Sequence, residues 1–171
     1  EVVSEGWHAS YGGPHAELAA LHAAGEKAKG ATLVVSLEPC SHQGKTPPCT
    51  DAILAAGVRR VVAAIHDPDI AARGGFEILK DAGIDTEAGL LAEEAAAQNA
   101  PFLFTRLQTS RPFVALKLAT SIDGRIADSG GSSQWISGPE AREHVHWLRA
   151  GFDAIAVGGT TALTDNPMLT A

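Results

Sequence analysis

Three short clusters in this sequence carry residue types able to hold a metal and move a proton. They are His15-Ala16-Glu17, Pro39-Cys40 and Pro47-Pro48-Cys49. One imidazole and two thiolates supply three corners of the tetrahedron that zinc prefers, and a catalytic zinc leaves the fourth corner to water. A water in that position needs a proton acceptor, and Glu17 is the candidate. Residues two apart on a helix do not share a face. The spacing therefore divides the roles: His15, Cys40 and Cys49 as ligands, Glu17 as the acid–base group. A helix opening at Cys49 would favour the thiolate that zinc requires.

Zinc deaminases pair H-x-E with a downstream P-C-x-x-C. Here eight residues separate Cys40 from Cys49, and the longer loop adds His42, Lys45 and Thr46 beside the metal. Each cluster also has a plain reading. H-A-E is common in helices, and a lone cysteine after a strand is usually a small buried hydrophobe. Their order and their placement at element ends favour the metal. A structural zinc knot with His42 as fourth ligand is the alternative.

The surrounding pattern must bring these clusters together. EVVSEGWH reads as a strand and residues 14–28 as a helix, with Pro14 at its first position and an apolar stripe of Leu18, Leu21 and Ala24. ATLVVSLEPC reads as a buried strand, and CTDAILAAG as a helix ending at Gly57. VRRVVAAIHDP predicts a strand, FEILKDAG a helix and IDTEAG a short strand. LLAEEAAAQNAPFLFTRL predicts a long helix interrupted before Pro101. QTSRPF reads as a linker, after which the pattern starts afresh. RPFVALKLATS and DAIAVGG read as strands, and SGPEAREHVHWLRAG as a helix with Ser137 as N-cap and Pro139 near its start. Alternation of strand and helix predicts an α/β layer with parallel strands. A second α/β domain begins near residue 111 and is cut short.

Composition excludes several classes. The 171 residues are 45% hydrophobic, which is globular rather than disordered. A net charge of −7 makes a poor footprint for nucleic acid. Two cysteines are too few for a secreted disulfide scaffold and suit a reducing, cytoplasmic compartment. No apolar run approaches the roughly 18 residues of a membrane span. The chain does not begin with Met, which points to a fragment or a processed chain.

GPHAE and LEPCSHQGKTPPCTDAI, with RPFVALKLATSIDGRIA, SSQWISG and GTTALTDNPMLT further on, resemble the bifunctional riboflavin-biosynthesis deaminase/reductase family over essentially the whole chain. PCSHQGKTPPC is the most specific piece. The resemblance implies an α/β cytidine-deaminase-like three-layer domain over 1–107, lacking its N-terminal elements. The start of a dihydrofolate-reductase-like domain follows over 108–171. It implies a phosphoribosylamino diaminopyrimidinone as substrate, zinc and NADPH as cofactors, no nucleic-acid or membrane partner, and a homo-oligomer. His42, Lys45 and Thr46 match substrate-contacting positions. In the second part Ser133, Arg149 and Leu169 match the substrate side, and Ala119, Trp135, Thr161 and Asp165 the NADPH side. Family members carry a further N-terminal helix and strand and a longer reductase part, so no reductase activity is expected of this chain alone. The remaining alternatives are another zinc nucleobase or nucleoside deaminase, and a non-catalytic zinc fold.

Overall fold

The structure, a computed structural model, describes residues 1–69, 72–107 and 110–170. It divides into two compact units, Glu1–Phe113 and Val114–Ala171. Residues 108 and 109, where the sequence places the domain boundary, lie outside the described residues.

The first unit is built on a parallel sheet of β1 (Thr32–Leu37), β2 (Arg60–Ile65) and β3 (Asp85–Ala88), in that spatial order. Thr32 pairs with Arg60 and Leu37 with Ile65, and Arg60 pairs in turn with Asp85. Successive strand residues point to opposite faces. Leu33 and Val35 of β1 and Val61 and Ala63 of β2 therefore share one face. They pack with Ile53, Val58, Phe76, Leu79 and Ile84 into the main core. That face is covered by α1 (Ala16–Ala24), α2 (Cys49–Ala56) and α3 (Gly75–Asp81), and α4 (Ala92–Gln98) lies against β2. The result is the expected three-layer α/β arrangement. A helix break at Asn99, ahead of Pro101, separates α4 from α5 (Ala100–Leu107).

Several elements differ from their sequence reading. β1 is not buried on both faces, because its burial alternates and Val34 is 63% exposed. Residues 1–8 form no strand. Strand backbone needs a partner for its N–H and C=O groups, and a cavity of about 1370 Å³ lies between residues 1–6 and the open edge of β1. The segment is held instead on α1: Ser4 Oγ donates to Ala20 O at 2.8 Å. A Cβ on Gly6 would meet Ala16 O at 2.4 Å, so only glycine fits there. The first helix is shorter than 14–28, ending at Ala24 in a 3-10 turn over Gly25–Ala28.

In the second unit α6 (Pro139–Arg149) is capped by Gly138 rather than Ser137, with Pro139 at its start. Residues 112–120 and 153–158 carry no strand ladder, against expectation. Their β-branched residues supply the propensity without a paired neighbour. The TTALTD stretch, given no element from sequence, forms α7 (Gly159–Asp165). Among the described residues no helix is long and apolar enough to cross a membrane.

One close approach fixes how α3 meets the loop after β1. A Cβ on Gly75 would lie 1.9 Å from Pro39 O. Gly75→Ala must therefore push helix and loop apart. The expected loss is roughly 1–3 kcal/mol, as for other overpacked sites, read as a lower urea midpoint. An unchanged midpoint would contradict this packing.

Candidate metal centre

The metal ligand candidates come from three separate elements. His15 is the N-cap of α1, with extended backbone (φ −67°, ψ 161°) rather than helical. Its ring is thus freed from the helix surface, while Glu17 lies one residue inside the helix. The sequence reading placed both in one first turn; the cap geometry is what lets His15 and Glu17 reach the same point. Cys40 follows β1 by three residues, after the fully buried Pro39. Cys49 is the first residue of α2, preceded by Pro48 as N-cap. Among the described residues, the ligand atoms of His15, Cys40 and Cys49 all lie within 4.8 Å of one another.

Individual distances test whether this set fits zinc. His15 Nδ1 is 3.5 Å from Cys40 Sγ and 3.3 Å from Cys49 Sγ. A tetrahedral zinc with bonds of about 2.3 Å to sulfur and about 2.0–2.1 Å to nitrogen would set its N···S edges at about 3.6 Å. The residues therefore fit the ion in both donor type and spacing. His42, the alternative fourth ligand, is absent from this convergent group and sits exposed in the loop.

Burial and mutual hydrogen bonds shift both thiols. The Cys49 side chain and backbone N–H both hydrogen-bond to Cys40, the N–H reaching Cys40 Sγ at 3.4 Å. These bonds outweigh burial and bring the Cys40 thiol down to about 5. Cys49 moves the other way, pushed far up by its bond to Cys40 and by burial, with the Glu17 and Cys40 charges adding to both. Burial is also the main cause that raises Glu17, and the Cys40 charge adds to it. A raised pKa suits a carboxyl that must both take and return a proton.

The centre opens into the large cavity, whose wall includes His15, Glu17, Cys40, His42, Lys45 and Thr46. Lys45 Nζ stands 3.9 Å over the ring of Tyr11, and both line that wall. Tyr11 was not singled out from sequence. Its only signal is an aromatic in the loop YGGP, and the contact is visible only once the two loops are juxtaposed. Glu38 also escaped sequence reading. It is 4% exposed, and its Oε2 lies 2.6 Å from His66 Nδ1. Burial would raise its pKa, but the bonds from His66, Phe76 N–H and Gly74 N–H overcome that and hold it below the usual range.

The second unit places the remaining candidates apart from this centre's residues in sequence. Arg149 ends α6 and donates to Thr170 O at 3.2 Å. Trp135 is covered by the Arg142 guanidinium at 4.4 Å. Thr161 and Asp165 lie on α7, Ser133 and Leu169 are exposed, and Ala119 is half-buried.

Ligation needs both thiolates, so zinc must displace thiol protons and its affinity should fall as the pH falls. Chelator competition at two pH values reads this; an affinity independent of pH would contradict thiolate ligation.

Comparison with known proteins accords with this geometry. The family model for the cytidine and deoxycytidylate deaminase zinc-binding region matches residues 1–65, and that for the RibD C-terminal domain matches residues 112–171. The chain is 53% identical to the riboflavin biosynthesis protein RibD of Escherichia coli and 48% identical to that of Aquifex aeolicus. Each match covers 99% of this chain, and 46% and 48% of the relative. A crystal structure of the diaminohydroxyphosphoribosylaminopyrimidine deaminase/5-amino-6-(5-phosphoribosylamino)uracil reductase of Thermotoga maritima superposes with a TM-score of 0.85. It is 45% identical, over 98% of this chain and 48% of that one. Acinetobacter baumannii RibD superposes with a TM-score of 0.82 at 45% identity, over 98% of this chain and 47% of that one. The chain spans about half the length of the relatives it matches. In sequence over nearly its whole length, and in fold, it belongs to the RibD family.

Proposed function

We propose that the first unit catalyses the hydrolytic deamination of 2,5-diamino-6-(5-phosphoribosylamino)pyrimidin-4-one, a step of riboflavin biosynthesis. In this reading residues 1–107 form the deaminase domain and residues 108–171 belong to the reductase domain. The observation that carries it is the raised carboxyl of Glu17 beside the His15, Cys40 and Cys49 atoms, at the wall of an open cavity. His15, Cys40 and Cys49 hold the zinc. When bound, zinc supplies a Lewis acid that brings the pKa of a water towards about 7 and stabilises developing oxygen charge.

Glu17 then does the proton work. Its carboxylate accepts a proton from the attacking water as the new C–O bond forms at the amino-bearing ring carbon. It returns that proton to the amine as the C–N bond breaks. Water and the diaminopyrimidinone thus give the uracil and ammonia, with Glu17 restored. Burial suits the carboxyl to both halves of the exchange. Lys45 binds the ribose phosphate, and His42 and Thr46 contact the pyrimidine, all three from the cavity wall. In the second unit Ala119, Trp135, Thr161 and Asp165 belong to the NADPH side. Ser133, Arg149 and Leu169 belong to the side that binds the ribosyl substrate for reduction to ribityl. The chain acts as a homo-oligomer in the cytoplasm. Two free cysteines suit a reducing compartment.

Two measurements check this reading. Glu17→Gln should lower ammonia release by about 10²–10⁴-fold, the usual worth of a positioned acid–base group, with zinc content unchanged. Equal turnover by the variant would refute the proton role. Lys45→Ala should raise KM by about ten- to a hundredfold, the scale of a lost charge-assisted bond, and leave kcat nearly unchanged. A fall in kcat at constant KM would place Lys45 in the chemistry instead.

A further inference from the structure

Glu38 is a buried carboxylate that the proposed reaction does not use, two residues before Cys40, and its contacts tie it to β2, His66 and the start of α3. Its backbone N–H extends the β1–β2 ladder, donating to Ile65 O at 2.9 Å. Its side chain then leaves the sheet and reaches α3. Oε1 accepts the N–H groups of Gly74 and Phe76, each at 3.1 Å. Oε2 pairs with His66 Nδ1 at 2.6 Å, and the His66 ring packs edge-on against Phe76 at 5.4 Å. Gly74 is the N-cap of α3 and has no side chain to cap with. Glu38 supplies that oxygen from 36 residues earlier.

The same stretch of chain grips both flanks of Cys40. Pro39 O sits where a Cβ on Gly75 would be. Beyond Cys40, Ser41 N–H donates to Ala72 O at 3.1 Å and Ser41 Oγ donates to Arg73 O at 2.9 Å. Cys40 itself is held by Thr50 N–H on its carbonyl at 3.3 Å and Cys49 N–H on its sulfur at 3.4 Å. Residues 38, 39 and 41 are thus each fixed to residues 72–76. Of these contacts, only Glu38 brings a charged side chain, and it is almost fully buried.

We propose that Glu38 is a positioning residue for the metal centre: by bonding Gly74, Phe76 and His66 it fixes the loop that aims Cys40 Sγ at the point shared with His15 and Cys49. A ligand held in place loses less freedom when the ion binds, and groups that orient ligands typically govern metal affinity by about 10–100-fold. The inference rests on the zinc reading of the site, and its test is read through the metal rather than through turnover.

The test compares the whole chain with Glu38→Ala, Glu38→Asp and Glu38→Gln. Zinc affinity is measured by chelator competition, and the site's geometry by the absorption spectrum of the cobalt(II)-substituted protein. Glu38→Ala should weaken zinc by about 10–100-fold and alter the sulfur-to-cobalt bands. Glu38→Asp, one methylene shorter, should fall in the same direction, and it serves where the alanine variant does not fold. Glu38→Gln should restore the parent values to within about threefold. Its oxygen can accept both backbone N–H groups, and its NH2 can donate to the His66 ring nitrogen. Lower thermal stability in Ala and Asp with the parent's zinc affinity and cobalt spectrum would overturn the proposal. A parent that binds no zinc would overturn it together with the metal assignment. A parent that binds zinc but releases no ammonia would remove the deaminase reading alone.

Discussion

Two cysteine sulfurs and one imidazole nitrogen must be held within hydrogen-bond distance of each other in a largely desolvated place. Thiols do not gather so of their own accord, and a buried thiolate is costly unless something compensates it. Here the compensation is local. Cys49 N–H points at Cys40 Sγ, and the Cys49 side chain bonds to Cys40 as well. Those bonds require Cys40, just beyond β1, and Cys49, at the start of α2, to lie side by side. The parallel pairing of β1 with β2 and the packing of α2 on the core supply this. The buried Cys49, Thr50 and Ile53 form one inward face of α2, so the helix that carries a ligand is also the helix that closes the core.

The same burial acts on three groups with different results, because their neighbours differ. It raises Glu17, where it outweighs a backbone hydrogen bond, the His15 charge and a bond with Cys49. It fails to raise Glu38, which accepts two backbone N–H groups and faces His66. It is outweighed at Cys40 by donors from Cys49. A raised carboxyl can shuttle a proton, whereas a carboxylate held ionised by hydrogen bonds can only hold structure in place. The division of labour between Glu17 and Glu38 follows from their partners rather than from residue type.

Much of this was legible in the sequence where local chemistry decides. Gly57 adopts the left-handed conformation that ends α2 (φ 68°). The apolar run after Arg59 is a strand, and Pro139 starts α6. His15, Cys40 and Cys49 could be grouped because their residue types are rare together and each sits at an element's end. Legibility failed where a distant partner decides. Residues 1–8, 112–120 and 153–158 have strand-like sequence, but a strand exists only when another backbone pairs with it. The partners of Glu38 lie 28 to 38 residues further on, and Tyr11 meets Lys45 only across two folded loops. No periodicity or spacing rule encodes such contacts. The capping of α6 turned on Gly138 against Ser137, a one-residue choice that propensity alone does not make.

The claim on which the rest depends is that His15, Cys40 and Cys49 bind one zinc ion with a corner left open. Zinc K-edge X-ray absorption of the metal-loaded chain tests it directly. The account predicts two sulfur neighbours at about 2.3 Å and two nitrogen or oxygen neighbours at about 2.0–2.1 Å, of which one is an imidazole. A shell without sulfur, or one in which a second imidazole fills the fourth position, would contradict it.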